Sequence, residues 1–574
     1  MAILTAQTFT LTVAGTRLDP VGNRMVVTMD EGNSPWLTAE ATVRRPSDAV
    51  MALLEPDRRS PVVLTLAAPA SLTLRFTVQG REFAPESDTV ALTLVSDEYP
   101  LLTYAPSTPV DLRAKSYQAS ARAIAAKVVS TALGRATAVE LAAGTADQSF
   151  TTYAAAQNLI PNPDVTTLNT YAGSSTPAAQ FSFDLTPYDG VNYAAATGLS
   201  QVTVIQVGLN QGTVSASPGT TYTASVLMRA TSGSNVTGTL ILQFTNEAGT
   251  VVSQSTKGLG LLKVLVNQQT DRVSITGTCP EGATSVRLVA RGSSSSRTSI
   301  AVGKWMITEG DGLETDGTSL MTWFAGDSVP GTTGYVYGWD GAANNSSSTR
   351  TPVVDREPES LLWKQTDVAD DFLRPILESI GMRLFQNEAG TFVLADNGYK
   401  VPGQVVMQHG STLYGGQESS SVLDDGEDGF PLNADAVIVT YAWTDALGRA
   451  RTATDFAKAG ATYSRPYVLE KTDTPYPGPG QAKFLLARLL ARKRQIDTVG
   501  RPDWSARPGM SAVVSLPHRP TATGYVQALV FDLSAATMTV TTKGLVTTPP
   551  GSIGNAPITQ TIGSVAGTIA AYTN

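Results

Sequence analysis

The chain has 574 residues, 42% of them hydrophobic and 16% charged. At about 150 residues per domain this length accommodates roughly four domains and excludes a single small module. The formal net charge of −8 is spread along the chain without a basic face, so no surface for neutralising nucleic-acid phosphates is expected. One cysteine, Cys279, excludes an internal disulfide and a cysteine-cluster metal site, and two histidines, His409 and His518, leave little for histidine-dependent catalysis. Residues 1–15 carry no basic residue ahead of an apolar run, and no stretch reaches the roughly 18 apolar residues of a membrane span, so neither an export signal nor an anchor is expected.

Residues 1–105 show period-2 alternation in Phe9, Leu11 and Val13, and more clearly in Leu72, Leu74, Phe76 and Val78, with Thr73, Arg75 and Thr77 on the other face. That pattern predicts a small antiparallel barrel or sandwich. From Ser116 the period changes: Tyr117, Ala121, Ile124, Val128 and Ala132 share one helical face before Gly134, so 106–154 is expected to carry a helix. Between 155 and 345 the charged fraction drops to 10%, against 18% in the rest of the chain, and Ser, Thr, Gly and Asn dominate. This segment reads as an insertion into a host fold that resumes after about Val353, with Asn158–Pro163 and Asn344–Ser348 as linkers. Inside it Tyr222, Ala224, Val226 and Met228, then Leu240, Leu242 and Phe244, then Val286, Leu288 and Ala290 alternate as half-buried strands, which predicts an antiparallel sandwich of jelly-roll type.

After the insertion, Thr366 with Asp367, Asp370 and Asp371 suits a helix start. Phe372, Ile376, Leu377 and Ile380 form its apolar stripe before Gly381, and Pro375 is expected to kink it. A hairpin at Met382–Leu384 and Phe392–Leu394 completes a small mixed unit over 346–400. A second barrel is expected over 401–545. Its strands are Val437, Val439, Tyr441 and Trp443, then Val513 to Leu516, Gly524 to Leu533 and Met538 to Thr542. Within this region, near 481–495, a helix carries an apolar stripe of Ala482, Leu485, Leu486, Leu489 and Leu490. Arg492, Lys493 and Arg494 end it, read as a solvated complement to the helix dipole. Residues 546–574 are Gly, Pro and Thr rich and read as an extended tail. The predicted fold class is mainly β with a minor α component: two β-barrels, a small α/β unit and an inserted antiparallel β-sandwich.

This order of elements resembles the baseplate hub, or tail-tip hub, of long-tailed bacteriophages. The stretches that carry it are Gln365-Thr366-Asp367-Val368-Ala369-Asp370-Asp371-Phe372-Leu373-Arg374-Pro375-Ile376-Leu377, Pro508-Gly509-Met510, Thr523-Gly524-Tyr525-Val526, and Phe531-Asp532-Leu533 through Met538-Thr539-Val540. The resemblance covers roughly 1–150 and 350–545. It implies a homotrimer whose two barrels per chain build a six-barrel ring at the virion tail tip. The implied partners are the distal tail protein, the tape measure and other tip proteins, with no membrane partner and with genome DNA only passing through the lumen. An acidic trimer suits such a lumen, because like charge disfavours phosphate contact. The insertion resembles a carbohydrate-binding-module-like jelly roll found inside phage tail proteins, on Asn158-Leu159-Ile160-Pro161-Asn162-Pro163, Trp323-Phe324-Ala325-Gly326-Asp327 and Tyr335-Val336-Tyr337-Gly338-Trp339.

A sugar site needs an exposed aromatic face for the apolar side of a pyranose ring. Trp305, Trp323, Tyr335, Tyr337 and Trp339 are the candidates, although the strand-period spacing of the last three equally suits burial in the sandwich. Asp311, Glu314 and Asp316 offer hard oxygen ligands for Ca2+ in a Gly-bearing loop, against the reading of an ordinary solvated turn. Asp424-Asp425-Gly426-Glu427-Asp428 reads as an acidic loop. No carboxylate pair or Ser–His arrangement stands out, and Gly258 to Gly260 lacks a phosphate-loop lysine, so no catalytic residue and no cofactor beyond structural Ca2+ is expected. The functional expectation is a structural virion protein, a trimeric hub capping the tail tube and displaying the insertion outward. The alternatives are a host cell-wall adhesion protein and a tail-associated cell-wall hydrolase.

Overall fold

Period-2 alternation says which face of a strand is buried, and the partners of each strand complete the fold. The computed structural model describes residues 9–67, 72–168, 171–176, 181–188, 190–198, 202–207, 214–231, 235–263, 272–294, 298–329, 334–419, 434–445 and 447–547. The acidic loop at 424–428 and the tail from 548 onward lie outside the described residues.

The molecule is mainly β with few helices, and its sheets are largely antiparallel. In the strand Leu72–Ala84, Leu72, Leu74, Phe76 and Val78 are buried while Thr73 and Arg75 are exposed. This strand belongs to a 13-stranded sheet. From one end the order runs Thr16–Leu18, Phe9–Val13, Pro61–Leu66, Leu72–Ala84, Thr89–Val95, Leu37–Arg44 and Pro20–Asp30. It continues through Ala522–Asp532, Thr537–Thr547, Gln495–Gly500 and Leu413–Ser419, with Ser511–Ser515 and Gln404–Gln408 branching from Ala522–Asp532. The two strand-rich ends of the host are therefore joined. Pro20–Asp30 pairs antiparallel with Ala522–Asp532 from Val26↔Asp532 to Asp30↔Ala528, and one hydrophobic core runs from Leu11 through Phe76 to Phe531 and Val540.

One strand assigned above to the second barrel pairs elsewhere. Ala436–Thr444 is the centre of a separate three-stranded sheet, antiparallel to Ala450–Lys458 and parallel to Pro466–Thr472. Its buried Val437, Val439, Tyr441 and Trp443 face the helix Gln481–Arg492. That helix buries Ala482, Leu485, Leu486 and Leu489, whereas Leu490, expected in the stripe, is 41% exposed. A solitary amphipathic helix needs an apolar surface to cover, and this sheet provides it. The helix starts at Gly480, where a Cβ would stand 2.1 Å from the Ser379 carbonyl oxygen. With no side chain at that cap, Asp455 of the neighbouring strand accepts from the Gly480 and Ala482 amides at 3.0 and 2.7 Å.

The small α/β unit is built from both sides of the insertion. The helix Ala121–Leu133 is capped by Ser120, whose hydroxyl accepts from the Ala123 amide at 3.0 Å, and it stops at Gly134 with φ +66°. Tyr117 lies in a separate short helix, Lys115–Gln118, rather than in this one. The second helix, Ala369–Ser379, carries Asp370 and Asp371 in its first turn, but Val368 rather than Thr366 occupies the cap position. The hairpin Met382–Gln386 with Phe392–Asp396 follows. Its second strand runs parallel to Val139–Leu141 from before the insertion, so residues almost 200 positions of inserted chain apart share a core of Ile124, Val128, Trp363, Ile376 and Leu394.

The insertion is a sandwich of a six-stranded and a five-stranded sheet over its own core, which includes Tyr222, Leu242, Leu288 and Trp305. The strand Thr237–Thr245 alternates as expected, but Thr221–Ala230 is buried on both faces. Its outer face is covered by a second cluster in which Leu227 meets Tyr193 and Val191. The segments read as linkers are not loose. Ala156–Asn158 pairs with Ser348–Pro352 as the chain enters and leaves. The fully buried Asn158 donates its amide to the Trp305 and Phe324 carbonyls, both at 3.1 Å, and accepts from the Ile160 and Ile307 amides, both at 3.2 Å. Polar composition suggested solvation, yet here it satisfies backbone groups inside the joint.

Two outcomes follow from this arrangement. A fragment spanning 155–352 should unfold in a single cooperative thermal transition, since it holds a complete core. Asn158→Ala, which removes four hydrogen bonds to buried backbone groups, should lower the stability of that fragment by at least about 2 kcal/mol in chemical denaturation.

Candidate functional site

The aromatic residues proposed from sequence divide into two that are buried and three that are half-buried. Trp305 has no exposed surface and belongs to the insertion core, with its indole donating to the Val302 carbonyl at 3.2 Å. Tyr335 is 7% exposed, meets Tyr153 edge-on at 5.4 Å, and its hydroxyl accepts from the Ala154 amide at 3.3 Å. Neither has a face to offer a sugar. Trp323, Tyr337 and Trp339 are half-buried. Trp323 donates to the Trp305 carbonyl at 3.2 Å, and the Lys304 ammonium lies 5.2 Å from its ring. Tyr337 sits 5.8 Å from Phe324, and Trp339 lies against Gly326, where a Cβ would come within 2.4 Å of the indole Cγ.

A buried cation occupies the space between these rings. Arg350, 1% exposed, stands 4.5 Å from the Tyr335 centroid and 5.7 Å from that of Phe324. Its guanidinium donates to both carboxylate oxygens of Glu314, at 3.2 and 3.0 Å. The three acids of the proposed Ca2+ loop therefore diverge. Asp311 is exposed and accepts from the Leu313 amide at 3.0 Å. Burial acts to raise the Glu314 pKa, but Arg350 and the Thr322 amide outweigh it and hold the carboxyl below its ordinary range. Asp316, 5% exposed, accepts from the amides and hydroxyls of Thr318 and Ser319 at 2.6 to 3.2 Å. Against the opposing effect of burial, those bonds hold it far below its ordinary range. Among the described residues no three His, Cys, Asp or Glu side chains are grouped to hold a metal. The loop instead fastens the insertion to the α/β unit: the Thr315 hydroxyl donates to the Thr152 carbonyl at 3.1 Å, and Lys115 lies 3.5 Å from Asp316.

The two histidines, His409 and His518, are both exposed. A further group of charges lies where the 13-stranded sheet meets Ala369–Ser379 and Gln481–Arg492. A cavity of about 140 Å3 there is lined by four carboxylates, Glu31, Glu98, Asp370 and Glu378, and four cations, Arg374, Arg383, Arg488 and Arg492. Glu31 pairs with Arg383 and with Lys543, 512 positions away. Burial raises the Glu31 pKa, yet those two cations more than reverse it. Lys543 moves the other way, from 10.5 to about 8, because burial and the repulsion of Arg383 and Arg488 exceed its attraction to Glu31. Arg488 donates to the Glu31 carbonyl at 3.1 Å, and burial and Arg383 lower its pKa. Arg374 pairs with Asp370 one turn away, and Glu378 accepts from the Gln481 amide at 2.6 Å. Glu98 is fully enclosed and accepts from the Trp36 and Gln386 amides and from the Ser96 hydroxyl, with burial pushing its pKa up from 4.5 to about 7.

Of this group the sequence pointed to Asp370 as an acid at a helix start, to Arg374 within the stretch that resembles tail-tip hubs, and to Arg492, whose basic cluster was read as solvated. Arg494 also departs from that reading, pairing with Glu418 at 2.7 Å, while Lys493 is exposed as expected. The local signals were a run of three bases at one helix end and acids at the start of another; the carboxylates of the cavity come from the helix Ala369–Ser379 and from the segments around Glu31 and Glu98, far apart in the chain.

Arg350→Met should destabilise the insertion joint by about 3–5 kcal/mol in the whole chain, by leaving Glu314 buried without its cation. Adding Glu314→Gln should recover part of that loss, a coupling that a double-mutant cycle measures. Glu98 binds a proton more tightly when folded, so its contribution to stability is full below pH 4.5 and declines as pH rises through about 7. Glu98→Gln, which sets an amide donor against one of the three donors, should therefore cost more stability at pH 5 than at pH 8.

No protein-family model matches the chain, and no curated protein matches it. Among solved structures it is similar to a tail protein from Neisseria meningitidis MC58, at 8% identity and a TM-score of 0.40, covering 94% of this chain and 97% of that one. The 43 kDa tail protein of prophage MuSo2 from Shewanella oneidensis is similar at 7% identity and a TM-score of 0.37, covering 93% and 97%. The CBM22-1 xylan-binding domain from Paenibacillus barcinonensis Xyn10C matches 28% of this chain over 96% of its own length, at 11% identity and a TM-score of 0.20.

Proposed function

We propose that the chain is a structural protein of a bacteriophage tail, a homotrimeric hub at the tail tip that holds the inserted sandwich outward. The observation that carries the reading is the pairing of Pro20–Asp30 with Ala522–Asp532, which makes one host body from both ends of the chain. The insertion leaves and re-enters that body through two adjacent strands, Ala156–Asn158 and Ser348–Pro352. A module attached in this way adds a surface without interrupting the host, as a displayed domain requires. The sequence resemblance to tail-tip hubs at Gln365–Leu377 and Pro508–Val540 supports the same reading. The charged interior is mutually paired and walled by core elements, which favours a mechanical over an enzymatic role. Its partners are then further copies of itself, the distal tail protein, the tape measure and other tip proteins. Any glycan contact by the insertion falls to Trp323, Tyr337 and Trp339, the candidates that keep accessible surface.

Native mass measurement of the purified chain should return three copies per particle, with interfaces of the permanent class, above about 2,000 Å2. Replacing 159–347 by a short linker should leave that mass ratio intact. A chain that stays monomeric at all concentrations and is absent from purified tails would overturn the hub, and clearing of cell wall in a zymogram would overturn the non-enzymatic role.

A further inference from the structure

The sheet centred on Ala436–Thr444 carries a helix over one face and is open at its sides. Among the described strands Pro466–Thr472 pairs with Ala436–Thr444 alone, so its other edge carries no strand. Such an edge is a template for pairing with another chain. A groove of about 270 Å3 runs beside it, and its lining joins Glu470 and Thr472 of the edge to Phe372, Pro375 and Ile376 of the helix Ala369–Ser379. On the same strand Val468 is 52% exposed. An open edge beside a helix suits the addition of an extended segment as one more strand, with its main chain on the edge and alternate side chains in the groove.

The charges select the segment. Asp367, Asp371 and Glu470 line the groove, and among the described residues no lysine or arginine stands at ion-pair distance from any of them. Lys471 lines it too, and Lys364 nearby donates to the Asp473 carbonyl at 3.2 Å. Arg374, whose charge Asp371 favours, is paired with Asp370. Setting Lys471 and Lys364 one for one against the three acids still leaves the groove acidic, with Glu359, which has interactions of its own, left out of the count. A second copy of this sheet does not supply the complement. On its opposite edge, Ala450–Lys458, Arg451 stands 3.6 Å from Glu357 and 3.9 Å from Asp445, and Lys458 donates to the Ala461 carbonyl at 2.7 Å.

We propose that this groove docks an extended segment of a different protein, one that carries lysine or arginine between apolar residues. The segment adds as a strand to Pro466–Thr472, sets its apolar side chains against Phe372 and Ile376, and sets its cations against Asp367, Asp371 and Glu470. The groove is complete within one chain, so this docking does not depend on the hub reading.

The test is fluorescence anisotropy of a labelled, end-blocked peptide of about seven residues, alternating lysine with valine, titrated with the full chain. Saturable binding is expected, and it should weaken as salt rises. The double variant Asp371→Asn with Glu470→Gln should bind about tenfold more weakly, the loss of two exposed ion pairs. The same peptide methylated on alternate main-chain nitrogens should lose at least about tenfold, because it cannot pair with the edge. A peptide with glutamate in place of lysine should not bind. Absence of saturable binding overturns the proposal. Undiminished binding in the double variant places the peptide elsewhere, and equal binding of the methylated peptide removes strand addition; either result overturns it as well. A double variant that lowers the number of copies per particle assigns the groove to a second copy and overturns the choice of occupant. Because the peptide is read on the chain in any oligomeric state, its failure is distinguishable from failure of the hub reading.

Discussion

The pairing of Pro20–Asp30 with Ala522–Asp532 is the constraint on which the rest of the molecule depends. It requires the chain to return, after almost 500 residues, to the strand it laid down near its beginning. The entropy of closing so long a loop grows only slowly with its length, so the intervening chain can carry whole domains. The condition is that each of them brings its own two ends back together. The jelly-roll insertion does this through Ala156–Asn158 and Ser348–Pro352, and the α/β unit does it through the parallel pairing of Val139–Leu141 with Phe392–Asp396. Both are local answers to a global demand.

Closure at that seam also sets charges against one another. Glu31 follows directly on the paired strand, and its position brings it to Arg383 of the hairpin and Lys543 of the C-terminal sheet. Glu98 bridges the first sheet region and the hairpin through the Trp36 and Gln386 amides. Buried ion pairs of this sort add little net stability over well-packed apolar groups, because desolvation offsets most of the attraction, but removing one partner is expensive. Their structural consequence is registration: the sheet, the hairpin and the helix Gln481–Arg492 meet in an arrangement that pairs these charges.

The joint of the insertion uses the same device with aromatic rings added. Arg350 satisfies Glu314 and lies against Tyr335 and Phe324. Arg356 donates to the Thr151 and Pro477 carbonyls and lies 4.4 Å from the Phe150 ring. Cations at this position make the segment a fastening: they cover Tyr335, Phe324 and Phe150, while Trp323, Tyr337 and Trp339 keep accessible surface.

Local sequence determined the faces of the elements. The alternation in Leu72–Val78 and Leu240–Phe244, the helical stripe through Ile124 and Val128 and the stop at Gly134 are all legible from neighbours a few residues apart, because strand and helix periods are local properties. Tertiary structure alone decided what each face meets. Val437 to Trp443 has the same period as a barrel strand, yet it pairs in a separate sheet beneath a helix. Tyr335 and Tyr337 have the spacing of a platform, yet an arginine from the neighbouring strand lies over Tyr335. The charged interior had no local signature, since Glu31 and Lys543 become neighbours only when the two ends of the chain pair.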